Sequence, residues 1–230
     1  MNNQFNRTSL VIGTEGVDIL KRSHVCVFGI GGVGGHCIEA LARVGIGKLT
    51  IVDKDVVDVT NINRQIIALH STLGQRKTDV MKARLLDINK DLEIISLCDT
   101  YTIHNSNDYD MSKFDYVVDA IDMISSKIEL IKRCNETKTP IISCMGTGNK
   151  LNPTMLEISD INKTSVCPLA RVVRRQLKDL GIKKLKVLYS KESPRHSNNE
   201  DKTVIGSVSF VPSVAGLIIA SEVVKDLINI

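Results

Sequence analysis

A glycine-rich stretch near the amino end has the spacing of a phosphate-binding loop. Gly29-Ile30-Gly31-Gly32-Val33-Gly34 matches G-x-G-x-x-G and ends the apolar run of residues 24–30. A segment with apolar residues at helical spacing follows it. Glycines let backbone N–H groups approach a phosphate at the positive end of a helix, so this context favours a nucleotide site. The glycines expected to bind the nucleotide are Gly29, Gly31, Gly32 and Gly34.

An acidic residue follows at the distance that a ribose contact requires. Asp53 comes 19 residues after Gly34, at the predicted end of the second strand. There its carboxylate can accept hydrogen bonds from ribose hydroxyls. Asp53 and Asp55 have an alternative role, in which they only cap the connection after the strand. The glycine motif also does not specify the nucleotide, because NAD-dependent dehydrogenases carry the same fingerprint.

Further polar residues are expected at the same edge of the predicted sheet. They are Asp55, the run Asn61-Ile62-Asn63-Arg64-Gln65, Lys77, and the pair Asp119 and Asp122. Cations that face carboxylates suit a triphosphate and its metal ion, whereas hydride transfer has no use for them. The pattern therefore favours ATP over a redox dinucleotide. The alternative for Arg64 and Lys77 is that both are solvated surface charges.

Alternating strands and helices must position these side chains. Apolar, β-branched runs predict strands at residues 24–30, Lys48–Asp53, Glu93–Cys98, Phe114–Asp119 and Pro140–Met145. Helices are predicted at residues 33–44, Gly74–Asn89 and Ser125–Lys138. This alternation is typical of an α/β protein with a Rossmann-like, doubly wound and mostly parallel sheet, which binds ligands at the carboxyl ends of its strands.

The alternation weakens after residue 150. We expect a single domain over residues 1–230, in which 24–150 form the nucleotide-binding core and 151–230 a small mixed extension. The extension is predicted to contain a strand at 154–158, a basic helix at Pro168–Leu180, an exposed loop at Ser190–Lys202, a strand at Val204–Phe210 and a helix at Val211–Ile228.

Composition narrows the class of protein. Hydrophobic residues make up 43% of the 230 residues and charged residues 24%, which excludes disorder as the main state. No apolar run reaches the roughly 18–20 residues that cross a bilayer, and the amino end lacks the layout of a secretory signal. The six cysteines are spread along the chain without a CxxC pair, which gives little support to a zinc site and indicates a reducing compartment. We therefore expect a cytoplasmic protein.

Charge is concentrated in one segment. Between Arg171 and Arg195 nine cations and two carboxylates give +7, which leaves −3 for the rest of the chain. The cations are Arg171, Arg174, Arg175, Lys178, Lys183, Lys184, Lys186, Lys191 and Arg195. This basic segment suggests a polyanionic partner, and the alternative is a solvated helix face followed by a loop.

From Asn6 to about Met145 these motifs resemble the ThiF/MoeB/HesA branch of the ubiquitin-activating-enzyme-like adenylating proteins, and the run Asn61–Gln65 is the most specific part. The resemblance implies that the glycine loop holds ATP, that one aspartate binds ribose and that a second holds Mg²⁺. Asn, Arg and Lys side chains would contact phosphates, and an amino-terminal arginine would reach the partner subunit's site in a homodimer. These positions are Asp53, Asp122, Asn61, Arg64, Lys77 and Arg7, and Asp55 and Gln65 complete the expected nucleotide site.

The chain departs from the pattern of that family at two places. Met123 stands where the family more often has Asn, which removes one metal or phosphate contact. Gly35 stands where Ser is common, which leaves one hydroxyl fewer near the phosphates.

The second half resembles the tRNA threonylcarbamoyladenosine dehydratase subgroup. The resemblance rests on residues 146–153 (GTGNKLNP), 168–171 (PLAR) and 206–210 (GSVSF). It implies a ligase-like enzyme that adenylates the threonyl carboxylate of a modified tRNA adenosine and closes a ring with loss of water. An intramolecular nucleophile makes a catalytic cysteine unnecessary, and Cys167 is more simply a small residue before a proline.

The same resemblance gives the basic segment 171–195 a purpose as a contact for tRNA phosphates, with Tyr189 or Phe210 stacking on unpaired bases. A sulfur-relay protein is a further possible partner. The alternative function is adenylation of the C-terminal glycine of a ubiquitin-like sulfur carrier. Relatives with that activity commonly hold zinc with two CxxC pairs, which this chain lacks.

Overall fold

The computed structural model describes residues 4–195 and 205–230. A seven-stranded sheet of order β3-β2-β1-β4-β5-β7-β6 forms its centre. The strands are β1 His24–Phe28, β2 Lys48–Val52, β3 Glu93–Leu97, β4 Tyr116–Asp119, β5 Ile141–Cys144, β6 Leu156–Asp160 and β7 Lys186–Ser190. All neighbours are parallel except β6 and β7. The predicted fold class, with its mixed carboxyl-terminal extension, is confirmed.

Helices cover both faces of this sheet. They are α1 Asn6–Arg22, α2 Gly34–Val44, α3 Lys77–Ile88, α4 Ile124–Thr137, α5 Pro168–Asp179 and α6 Phe210–Ile228. Pro168 opens α5, where its missing N–H costs no hydrogen bond. Gly45 ends α2 in the left-handed conformation that glycine adopts without strain.

The strand β1 shows why the sheet needs cover on both sides. Val25 and Val27 point into a core formed with α1, α2, α3 and α6. Cys26 and Phe28 point to the other face, where they pack in a cluster with Leu130 of α4. Since successive side chains of a strand alternate between faces, a strand that is apolar throughout must be buried on both.

Several predicted elements differ from the structure. No strand exists at residues 205–209, since the chain there is irregular and α6 begins at Phe210; residue 204 lies outside the described residues. The strand predicted at 154–158 begins at Leu156, because Pro153 opens a short 3-10 turn. α3 begins at Lys77 and not at Gly74, whose φ of +77° is not helical.

The predicted exposed loop Ser190–Lys202 is wrong at its start. Ser190 ends β7 and is fully buried, and Glu192 is buried beneath residues 151 and 152, whose backbone N–H groups its carboxylate accepts. Residues 196–202 lie outside the described residues. Strand β7 and helix α1 were not predicted. In the part of the chain that the structure covers, no helix is long and apolar enough to cross a bilayer.

Candidate functional site

A cavity of about 550 Å³ opens at the carboxyl ends of β1, β2 and β4. Strand order reverses at β1, which has β2 on one side and β4 on the other. Such a reversal leaves a crevice at the ends of the strands, where open α/β sheets bind ligands. The predicted nucleotide residues line this cavity, with Gly34 and Arg7 as exceptions.

The glycine loop is shaped by close backbone contacts. Gly29 has a φ of +94°, and a Cβ on it would lie 2.6 Å from the carbonyl oxygen of Ala120. A Cβ on Gly34 would lie 1.8 Å from the carbonyl oxygen of Gly29. Gly34 is therefore required for the packing of α2 under the loop. It does not line the cavity, and its contact with the nucleotide stays a prediction. Gly31 has open space where a Cβ would stand, and it faces the cavity.

Asp53 joins the loop to the end of β2. Its Oδ2 accepts the N–H of Ile30 at 2.6 Å, and its Oδ1 accepts the N–H of Asp55 at 2.8 Å. The capping role considered for Asp53 is thus present. It does not exclude a ribose contact, because each carboxylate oxygen has a second lone pair.

Lys77 is a buried cation at the wall of the cavity. Its Nζ lies 2.9 Å from Oδ2 of Asp55, and the Lys77 side chain is 6% exposed against 51% for Asp55. Its backbone N–H also donates to the Asp55 carbonyl at 3.0 Å. Lys77 is therefore no solvated surface charge, and the alternative considered for it is wrong.

Arg64 lies in the same wall of the cavity. Nη1 donates to the carbonyl of Thr60 at 3.0 Å and to Oδ1 of Asn63 at 2.9 Å. No carboxylate lies within ion-pair distance of it among residues 4–195 and 205–230, so its charge is available to an anion. Nη1 donates both hydrogen bonds, which fixes the orientation of the planar guanidinium.

Asn61 and Gln65 complete this side. Asn61 ends a one-turn 3-10 helix, and its Oδ1 accepts the N–H of Asp58 at 3.2 Å. Gln65 lines the cavity at 7% exposure, and its Oε1 has no hydrogen-bond partner within the described structure. An unpaired buried carbonyl is costly, so a polar ligand that donates to Gln65 would stabilise this arrangement.

The opposite wall carries Asp122. It is exposed and lines the cavity just before α4, next to Met123. Asp119 and Lys127, on either side of it in the chain, are fully buried. Nζ of Lys127 lies 2.8 Å from Oδ2 of Asp119, and Oδ1 of Asp119 accepts the N–H of Ile121 at 3.1 Å. The role of Lys127 was not predicted, since a lysine inside an amphipathic helix is usually solvated.

The carboxylates at the cavity fit magnesium better than zinc. No group of three or more His, Cys, Asp or Glu side chains in the described parts of the chain is arranged to hold a metal ion. Mg²⁺ usually takes one or two carboxylates and completes its shell with water and substrate phosphates. Asp122, exposed at the cavity, offers such a carboxylate.

Four sequence candidates do not line this cavity. Arg7 is exposed on α1 and does not line this chain's cavity. Tyr189 is 2% exposed in the core beneath α5, so its predicted stacking on a base is wrong, whereas Phe210 is 43% exposed. Cys167 is buried at the N-cap of α5 and does not line the cavity.

The basic segment does not form one continuous charged face. Lys186 pairs with Glu222 and Asp226, Lys191 with Glu157, and Arg195 with Glu192. Arg174 donates to the carbonyls of residues 161 and 164. A second cavity of about 640 Å³ is lined by five cations and by no acidic residue. Besides Arg174, the cations are Arg171, Arg175, Lys178 and Lys183.

Comparison with known proteins agrees with this geometry. The chain is 46% identical, over 100% of its length and 96% of the relative's, to tRNA threonylcarbamoyladenosine dehydratase of Bacillus subtilis. The crystal structure of the E. coli tRNA N6-threonylcarbamoyladenosine dehydratase in complex with ATP superposes with a TM-score of 0.93 at 34% identity, over 98% of this chain and 94% of that one. The model of the ThiF family matches residues 2–230. The chain therefore belongs to the ThiF family.

Proposed function

We propose that this protein is an ATP-dependent tRNA threonylcarbamoyladenosine dehydratase. The observation that carries the proposal is the 46% identity with the B. subtilis dehydratase across the whole chain. The cavity supports it, because it combines a glycine loop, a carboxylate for ribose and cations for phosphates. The structure of the E. coli relative with ATP gives independent support for the nucleotide.

In this function each wall has a separate task. The backbone of Gly29, Gly31 and Gly32 faces the phosphates, and Asp53 accepts from the ribose hydroxyls. Arg64 and Lys77 neutralise phosphate charge, while Asn61 and Gln65 contribute amide groups. Asp122 would hold Mg²⁺, which supplies further neutralisation of the phosphates.

The chemistry asks the protein mainly for positioning and charge neutralisation. The threonyl carboxylate attacks the α-phosphorus and pyrophosphate leaves, which gives an acyl-adenylate. A nitrogen or oxygen of the same modification then attacks the acyl carbon and AMP leaves, so that the nucleoside loses one water overall. No protein thiolate is needed, and burial raises the pKa of the Cys144 thiol to about 12.

The proposal also covers the binding partners of the protein and its cellular location. The tRNA would contact the basic segment 171–195, chiefly through its cations on α5. A homodimer would bring Arg7 to the partner's cavity, and the highly exposed Leu10 and Val11 of α1 give an apolar surface for that contact. A sulfur-relay protein remains a further partner in this proposal, and a tRNA substrate places the enzyme in the cytoplasm.

One assay tests the function. Purified protein is incubated with Mg·ATP and tRNA that carries threonylcarbamoyladenosine, and the nucleosides are analysed by mass spectrometry. We expect a product lighter by one water, with release of AMP and pyrophosphate. ATP–pyrophosphate exchange that depends on a carrier protein ending in Gly-Gly and ignores tRNA would contradict the proposal.

A further inference from the structure

Residues 205–209, here named the crossing segment, lie at the mouth of the main cavity just before α6. Ser207 of this segment lines the cavity, as does Thr147, which follows β5. Pro212 in the first turn of α6 lies against the glycine loop, since a Cβ on Gly32 would stand 3.1 Å from it. The crossing segment therefore forms a wall that differs from the nucleotide wall of Arg64 and Lys77.

The crossing segment has no regular secondary structure and is held by side chains from other elements. Gly206 and Asn149 exchange two hydrogen bonds: the N–H of Asn149 donates to Gly206 O at 2.8 Å, and the N–H of Gly206 donates to Asn149 Oδ1 at 2.7 Å. On the other side, Nδ2 of Asn63 donates to the carbonyl of Ser207 at 3.0 Å.

Asn63 also contacts the nucleotide wall. Its Oδ1 accepts from Nη1 of Arg64 at 2.9 Å, so one amide group bridges the guanidinium and the crossing segment. Asn61, Arg64 and Gln65 line the cavity, whereas Asn63 does not. Its side chain thus connects the two walls without lining the cavity itself.

We propose that Asn63 is a positioning residue that couples nucleotide binding to the wall that receives the acceptor substrate. The inference rests on the proposed function, in which Arg64 binds ATP and the tRNA carboxylate enters between Arg64 and Ser207. An anion on Arg64 fixes its guanidinium, which fixes the Asn63 amide and through it the Ser207 carbonyl. Coupling of this kind is reciprocal, so nucleotide and tRNA each strengthen the binding of the other.

The chain offers a matched control for this contact. Nε2 of Gln75 donates to the carbonyl of Ser71 at 3.0 Å, which is the same kind of bond at a place that lines neither the main cavity nor the basic one. Asn63→Ala and Gln75→Ala therefore each remove one bond from a side-chain amide to a backbone carbonyl. Asn63 and Gln75 are both exposed, so neither variant is expected to lose the fold. Thermal unfolding of both checks this, and Asn63→Gln keeps an amide as a second variant.

The experiment measures the dissociation constant of threonylcarbamoyladenosine tRNA with and without a non-hydrolysable ATP analogue. We expect the analogue to tighten tRNA binding to the wild type and to Gln75→Ala by the same factor. In Asn63→Ala this factor falls about three- to tenfold, the scale of one hydrogen bond, and Asn63→Gln recovers part of it. The affinity of the analogue without tRNA falls by less than about tenfold, because Arg64 loses the Asn63 acceptor but keeps the Thr60 carbonyl.

Two outcomes overturn the inference: a wild type whose tRNA affinity does not change with the analogue, or an Asn63→Ala variant whose factor equals that of Gln75→Ala. Failure of the proposed function looks different. In that case the wild type itself neither binds nor dehydrates the modified tRNA.

Discussion

Nζ of Lys127 lies 2.8 Å from Oδ2 of Asp119, and neither side chain has any exposed surface. Lys127 also donates to Ser143 Oγ and to the carbonyl of Cys144. The lysine therefore joins β4, α4 and β5. A buried ion pair contributes little net stability compared with apolar residues of the same size, but removal of one partner leaves an uncompensated charge.

Lys127→Met is expected to lower the free energy of unfolding by about 3–5 kcal/mol, because Asp119 would then be buried without its counter-ion. Urea denaturation measures the change. Lys186→Met is the comparison, since Lys186 pairs with two carboxylates at 33% exposure and its loss should cost about 1 kcal/mol or less. If the free energy of unfolding falls equally in the two variants, burial does not make the Lys127–Asp119 pair more important for stability than the partly exposed pairs of Lys186.

Substitutions at two positions of the glycine loop are expected to affect different properties: stability at Gly34 and nucleotide affinity at Gly31. Gly34→Ala is expected to destabilise the protein by about 1–3 kcal/mol or more, because its Cβ would overlap the Gly29 carbonyl. Gly31→Ala should change stability by less than about 0.5 kcal/mol, since no atom stands within 4 Å of its Cβ position. Nucleotide affinity should nevertheless fall in Gly31→Ala, because the methyl group enters the cavity. Differential scanning calorimetry and ATP titration check the pair, and a stable Gly34→Ala variant would refute the packing role.

Asp122→Asn should reduce turnover by at least about a hundredfold, since it removes the carboxylate proposed to hold Mg²⁺ beside the phosphates. AMP needs no such ion, so its affinity should stay within about twofold of the wild type. The readouts are steady-state turnover, its dependence on Mg²⁺ concentration, and AMP titration. Undiminished turnover would indicate that Asp122 has no part in the reaction and would favour nucleotide binding without catalysis.

The two groups of cations in the basic segment should behave differently towards tRNA. Replacement of Arg171, Arg175 and Lys178 by Ala is expected to weaken binding and to flatten its dependence on salt by about 2–3 units of slope, since each phosphate contact contributes about 0.7–0.9. Lys191→Ala combined with Arg195→Ala removes cations that already have carboxylate partners, so the slope should persist. The same slope in both multiple variants would remove α5 from the tRNA contact.

Local motifs predicted which residues lie together at the glycine-loop side of the cavity. The glycine spacing and Asp53 depend only on one strand–helix–strand unit, so the sequence is sufficient to place them. Lys186 could not be assigned in this way, because its carboxylates Glu222 and Asp226 lie 36 and 40 residues away in the chain. Its neutralisation exists only once β7 and α6 have packed together.

Strand β7 shows a second limit. Its residues KVLYS follow closely spaced lysines, and the charge of this stretch masks the pattern of a strand that lies between β5 and β6. This insertion buries Tyr189, which sequence alone made a candidate for base stacking. The order of strands in a sheet depends on long-range packing, so a pattern along the chain does not determine it.

The bond between Lys77 and Asp55 gives the proposed entry of ATP the character of an exchange of counter-ions. Lys77 is a sheltered ammonium that already has an anion beside it, and that anion belongs to a half-exposed residue. When a phosphate binds the ammonium group of Lys77, the Asp55 carboxylate loses its partner and is hydrated by the solvent to which it is already half exposed. The buried ammonium thus has a negative partner before and after a phosphate binds, so Lys77 can bind a phosphate without becoming an unpaired buried charge.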